Sequence, residues 1–200
     1  MTCSIQYTAV LTRHPETYSQ AAYGIEAGAS LTDAGGLVLH YALKGDIVRL
    51  RIPPPRSPRR SDRLWEHTCF EAFIRPAGET PYYEFNFSPS REWAACYFRD
   101  YRDGQPFPNE DATPNIIART ADDRLDLDAT IHLHRLPMVA QNGSVRLGLS
   151  AVIEEENGRL SYWALKHPPG KPDFHHPDAF ALEIERTDME IVNQRKMEKR

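Results

Sequence analysis

Hydrophobic and polar positions alternate with a period of two along most of the chain, and the 3.6-residue rhythm of amphipathic helices is scarce. Period-two segments run through Ser4–Leu11, Leu37–Leu43, Asp46–Ile52, Thr68–Ile74, Tyr82–Ser88, Trp93–Tyr101, Leu125–Leu133, Val145–Ile153, Leu160–Lys166 and Ala179–Glu185. Turn chemistry fills the gaps: Gly35-Gly36, Lys44-Gly45-Asp46, Pro76-Ala77-Gly78, Asp103-Gly104, Asn142-Gly143 and Asn157-Gly158. The sharpest of these predicts a hairpin, because Val145–Ile153 and Leu160–Leu165 flank an Asn-Gly pair that favours the type I′ turn.

Many short strands without a βαβ rhythm predict an all-β fold: an antiparallel two-sheet β-sandwich, jelly-roll or immunoglobulin-like, with few short helices. Residues 1–187 are expected to form a single domain, and the charged residues 188–200 a short helix or frayed tail.

Composition agrees with a folded protein. The chain of 200 residues is 40% hydrophobic and 26% charged, too apolar to remain disordered. A net charge of −4 gives no overall attraction to nucleic acid, so only a local patch could bind phosphate. Arg49, Arg51, Arg56, Arg59, Arg60 and Arg63 cluster around Pro53-Pro54-Pro55 and Pro58, and read as a solvated loop rather than such a patch. Cys3, Cys69 and Cys96 lack metal or disulfide spacing, which predicts reduced structural thiols. The N-terminus has no basic segment leading into an apolar run, and no stretch is apolar for long enough to span a bilayer. The expectation is a cytoplasmic protein without nucleic-acid or membrane partners.

Candidate chemistry concentrates between Leu64 and Tyr101. Alternation sends Tyr83, Phe85 and Phe87 to one face, the core, and Tyr82, Glu84, Asn86 and Ser88 to the other. In Thr68–Ile74 both faces are largely apolar, so Glu71 is expected to be partly buried and must find a partner. That partner is either a cation of the fold, Arg99 or Lys166, or a ligand. Trp65, Trp93 and Trp163 stand at or in predicted strands; aromatic rings stack on the C–H faces of sugars while Asn, Glu or Arg side chains pair with hydroxyls.

Leu64-Trp65-Glu66-His67-Thr68-Cys69-Phe70-Glu71-Ala72-Phe73-Ile74, Tyr82-Tyr83-Glu84-Phe85-Asn86-Phe87-Ser88-Pro89-Ser90 and Trp93-Ala94-Ala95 resemble the DOMON-like bacterial proteins related to family 9 carbohydrate-binding modules. The run from Trp163 to Pro177 is similar to the same group, and the resemblance extends from about Val38 to Glu185. It implies a β-sandwich. It also implies a sugar clamp in which Trp65 pairs with Trp163, with Glu71, six residues after Trp65, as a hydrogen-bonding partner.

Other chemistries are weaker. His167, His175 and His176 with Asp173 or Asp178 have metal-ligating side chains, but adjacent residues of an extended chain face opposite ways. His132 and His134 share a strand face, equally suited to a metal or to solvent. The wider DOMON group includes haem binders with an axial Met and His, and here Met138 is the interior Met, without a haem-attachment motif. No nucleophile elbow, zincin motif or phosphate loop occurs.

The reading is therefore a non-enzymatic small-ligand-binding protein, a saccharide being the class considered first, with no cofactor or metal. Its site would be built from Trp65, Glu71, Glu84, Asn86, Arg99 and Trp163. The alternatives are an interaction or scaffolding β-domain without a small-molecule site, and a haem- or metal-binding module. An open groove between Trp65 and Trp163 containing Glu71 would favour the first.

Overall fold

A computed structural model describes residues 3–32, 34–108, 112–139 and 143–185, so the expected tail at 188–200 and the Asn142 half of one turn signal lie outside it. Among the described residues there are thirteen strands and no α-helix. They are β1 (Cys3–Arg13), β2 (Ala22–Thr32), β3 (Gly36–Gly45), β4 (Arg59–Arg60), β5 (Cys69–Pro76), β6 (Tyr82–Phe87), β7 (Glu92–Asp100), β8 (Asp103–Pro106), β9 (Asn115–Thr120), β10 (Arg124–His132), β11 (Val145–Glu154), β12 (Leu160–Ala164) and β13 (Leu182–Ile184).

Hydrogen bonding links them in the order β4-β7-β6-β5-β11-β12-β1-β2-β3-β10-β9, with β8 on β7 and β13 on β11. The all-β class holds. The expected division into two separate sheets does not appear in the ladder, because β1 pairs with β2 along its length and with β12 at Thr12 and Arg13. The result is one curled half-barrel. Its inner faces close on one another: Tyr41 of β3 meets the Phe70 ring of β5 at 5.1 Å and donates its hydroxyl to the Glu71 carbonyl at 2.7 Å. Tyr83, Phe85 and Phe87 join this core, as alternation predicts, with Leu39, Leu43, Leu127, Leu147 and Leu149.

Two local expectations change. Asp46–Ile52 is not a strand; residues 47–49 form a 3-10 turn and Leu50 makes an isolated bridge to Glu155. Conversely β2 carries no strong strand signal, being rich in Ala and Gly, and is held by full ladders to β1 and β3. Its Gly28 allows close approach, since a Cβ there would stand a tight 3.1 Å from the Tyr7 carbonyl oxygen. The hairpin joining β11 and β12 forms as predicted, but with positive φ at Gly158 (82°) and not at Asn157. It is therefore a turn closed by Gly158 N–H to the Glu155 carbonyl (2.8 Å) with one left-handed residue, not a type I′ turn.

Candidate functional site

The outer face of β7-β6-β5-β11-β12 is not open to solvent. Cross-strand pairing brings Glu71 opposite Asn86 and Ser150, and Glu84 opposite Phe73 and Cys96, so these side chains share that face. The long connection from residue 165 to 181 lies over it. Phe180 and Phe174 pack there against Phe73, Tyr82 and Phe98, forming a second apolar cluster separate from the main core. Asp173 anchors this cover by accepting three hydrogen bonds, from Tyr101 Oη (2.7 Å), Arg102 Nη2 (2.8 Å) and the His175 N–H (3.1 Å).

Under the cover lies a cavity of about 360 Å³, bounded by Trp65, Glu71, Glu84, Arg102, Tyr162 and His175, with Cys96, Phe98, Val152, Pro172 and Phe174 completing the wall. That size is in the range of small-molecule sites. Trp65 is held at the rim by a 3-10 turn over residues 64–66, which follows Arg63 in the left-handed region (φ 58°). The turn is tied down by Arg63 to Glu66 (2.6 Å) and by His67 Nδ1 to Glu154 Oε2 (2.8 Å). The indole is 44% exposed, so it is not committed to packing.

Glu71 is only 3% exposed and Glu84 7%. Among the described residues the Glu71 carboxyl takes a single hydrogen bond, a long one from Ser150 Oγ to Oε2 (3.4 Å), while its Oε1 takes none. Glu84 Oε1 accepts from Asn86 Nδ2 at 2.7 Å. Burial holds the Glu71 carboxyl well above the usual carboxylate range, and the neighbouring Glu84 charge pushes the same way against a weak pull from Ser150. Burial also raises Glu84, against Asn86 and the more distant charge of Arg102.

His175 Nε2 stands 3.7 Å from Glu84 Oε2 without supplying a counter-charge. Burial and the charge of Arg102 bring its pKa down to about 4, so the ring is neutral near pH 7. The Tyr82 hydroxyl, raised to about 12 by burial, keeps its proton. It accepts the Arg102 N–H (3.3 Å) and shares a hydrogen bond with His175 Nδ1 (2.9 Å).

Trp65, Glu71 and Glu84 thus meet at one cavity, with Asn86, fully buried, bracing Glu84 from below. Two expected members are elsewhere. Trp163 pairs with Ala151 on the inner face, is buried in the main core and donates its indole N–H to Ser161 Oγ (3.0 Å); its neighbour Tyr162 is the one that faces the cavity. The Trp65–Trp163 clamp is therefore absent. Arg99 points to solvent and pairs with Asp103 (2.9 Å), and Lys166 pairs with Asp178 (3.1 Å), so neither neutralises Glu71.

Arg102 and Phe174 carry no site signal in the sequence, and His175, considered there only as a metal ligand, lines the cavity instead. The dense Pro and His run from 167 to 177 marked an unusual loop, but nothing in it says what the loop covers.

The other candidates resolve into packing. Arg51 pairs with Glu154, Arg59 with Glu92 and Arg63 with Glu66, each at 2.6 Å, while Arg60 stacks over Trp93. His167 takes the Thr12 carbonyl as its partner at 2.8 Å. Among the described residues no three His, Cys, Asp or Glu side chains converge as metal ligands.

No protein-family model and no curated protein matches this sequence. Solved structures do resemble it. A candidate carbohydrate-binding protein from Bacteroides uniformis superposes with a TM-score of 0.62 at 14% identity, over 86% of this chain and 83% of its own. Two structures of a family 9 carbohydrate-binding module from Caldicellulosiruptor kristjanssonii have TM-scores of 0.48, with cellotriose, and 0.47, with glucose. Their identities are 10% and 11%, over 86% and 89% of this chain and 80% and 86% of theirs. The first likeness shows a shared fold, and at such identity it shows the fold alone.

Proposed function

We propose that this protein binds a small polyhydroxylated molecule, a saccharide, without transforming it, in the cavity between Trp65 and the 165–181 cover. One observation carries the reading: an uncommitted indole at the rim and a buried carboxyl with a free oxygen open onto the same half-open cavity. The ring offers a flat face for sugar C–H groups, and Glu71 and Glu84 offer groups for hydroxyls. The shared fold with a candidate carbohydrate-binding protein is in keeping with it, as is the resemblance of the 64–95 segment to DOMON-like proteins.

The free thiols Cys69 and Cys96 suit a reducing compartment such as the cytoplasm.

The test is a thermal-shift and calorimetric screen of hexoses, pentoses and oligosaccharides. A binding sugar raises Tm by mass action, and Trp65→Ala weakens that sugar about tenfold or more while leaving Tm of the free protein within a few degrees. If no sugar at tens of millimolar shifts Tm, the proposal fails.

A further inference from the structure

The polar half of the cavity holds two buried carboxyls that no cation among the described residues contacts. Glu71 and Glu84 face the cavity from adjacent strands. The other titratable groups around them are Cys69 on β5, Tyr41 on β3, Tyr82 on β6, Cys96 on β7, Tyr162 on β12, Asp173 and His175 on the cover and Arg102 in the turn after β7. The phenols and thiols are all held upward by burial and His175 is held low, so these six are uncharged near neutral pH. Arg102 remains, and its guanidinium is spent on Asp173 and Tyr101. Among the described residues no cation contacts Glu71.

We propose, building on the saccharide reading above, that the natural ligand carries a primary ammonium group, as an amino sugar does, and that this group docks against Glu71 and Glu84. An ammonium has three N–H donors, which suit the free Oε1 of Glu71 and the acceptors of Glu84. The aromatic rings of Trp65, Phe98, Tyr162 and Phe174 line the rest of the same cavity and favour a cation further. A divalent metal ion fits less well. Among the described residues no three His, Cys, Asp or Glu side chains converge as its ligands.

Docking an ammonium requires the pair to lose the proton that burial holds on it, so the ligand exchanges one proton for its own charge. Affinity for an amine then rises with pH until the amine itself deprotonates. Binding of a neutral sugar has no such rise.

The experiment is calorimetry on the whole chain at pH 5.0 and 7.5. Glucosamine, galactosamine and mannosamine are compared with glucose, galactose and mannose and with the N-acetylated amino sugars. The expected result is that at least one amine binds tenfold or more tightly than its parent and its N-acetyl form at pH 7.5. The ratio should shrink at pH 5.0, and protons should be released on binding, read from the dependence of the heat on buffer ionisation. In Glu71→Gln the amine-to-parent ratio falls to about one, and Glu71→Asp restores part of it.

Equal affinities for amine and parent, with no change of the ratio in Glu71→Gln, would overturn the ammonium inference and leave saccharide binding standing. Absence of binding by every sugar in the panel would overturn both. Melting curves of each variant show whether it is folded.

Discussion

The two outward faces of the sheet make opposite use of charge. On β2, β3, β9 and β10 the outward side chains form a lattice of opposite signs in solvent: Lys44 with Glu26 (2.8 Å), Arg124 with Asp126 (2.7 Å), His40 with Asp128 (2.7 Å), and Arg119 also on Asp128. On β5, β6, β7 and β11 the outward face pairs its carboxyls at the margins, Glu92 with Arg59 and Glu154 with Arg51, but at its covered centre Glu71 and Glu84 have no cation within hydrogen-bonding reach. A solvated face tolerates charges because water screens them. A covered face holding unneutralised acids carries a desolvation penalty that folding alone does not require. That is the reason to read it as a place kept for something else.

The sharpest way to break this comparison is to disturb the covered face where it is braced. Asn86→Ala removes the one short hydrogen bond to Glu84, and should destabilise the protein by about 3 kcal/mol in urea unfolding. A loss below about 1 kcal/mol would mean that the network is not part of the folded architecture.

The next effect has the unusual sign. A carboxyl raised by folding binds more protons in the native state than in the unfolded chain. Glu71 therefore weakens the fold as pH climbs from the ordinary carboxylate value, about 4.3, through its own elevated one. Glu71→Gln should stabilise the protein by about 1–2 kcal/mol at pH 8, and the gain should vanish towards pH 4. Thermal melts across that range decide it, and a destabilised variant at pH 8 would contradict the picture.

The smallest effect belongs to the exposed lattice, with the opposite pH dependence. Burial works upward on Asp128, but hydrogen bonds from His40 and Arg119 outweigh it and hold the carboxyl below its usual range. Its contribution is therefore present at neutral pH and lost as pH falls through that lowered value. Asp128→Asn should cost about 0.5 kcal/mol at low salt and less in 1 M NaCl, read from urea midpoints. A salt-insensitive loss above about 2 kcal/mol would erase the distinction between the faces.

Much of this was legible beforehand, because a strand has a strict period. Alternation alone separates Phe85 and Phe87 from Glu84 and Asn86, and marks Glu71 as a carboxyl with little access to water. Its failures come where local pattern competes with distant pairing. The Ala and Gly of β2 have weak strand propensity and become a strand because neighbours on both sides offer hydrogen bonds. Trp163 and Tyr162 are both aromatic, and the phase that buries the first and turns the second to the cavity is set by pairing with Ala151 and Val152. Arg99 and Arg102 are three residues apart, but the turn after β7 sends one to Asp103 and the other to Asp173.

The amino-acid order by itself determined the strands' faces, the aromatic core of β6, the β11–β12 hairpin and the solitary acid on β5, all properties of neighbours a few residues apart. Tertiary structure alone decided that the 165–181 connection would lie across β5 to β7. It also decided that Glu71 and Glu84 would share one cavity with Trp65. The reason is physical: periodicity reports which way a side chain points, while what it meets there depends on segments some ninety residues away, such as His175 on Tyr82.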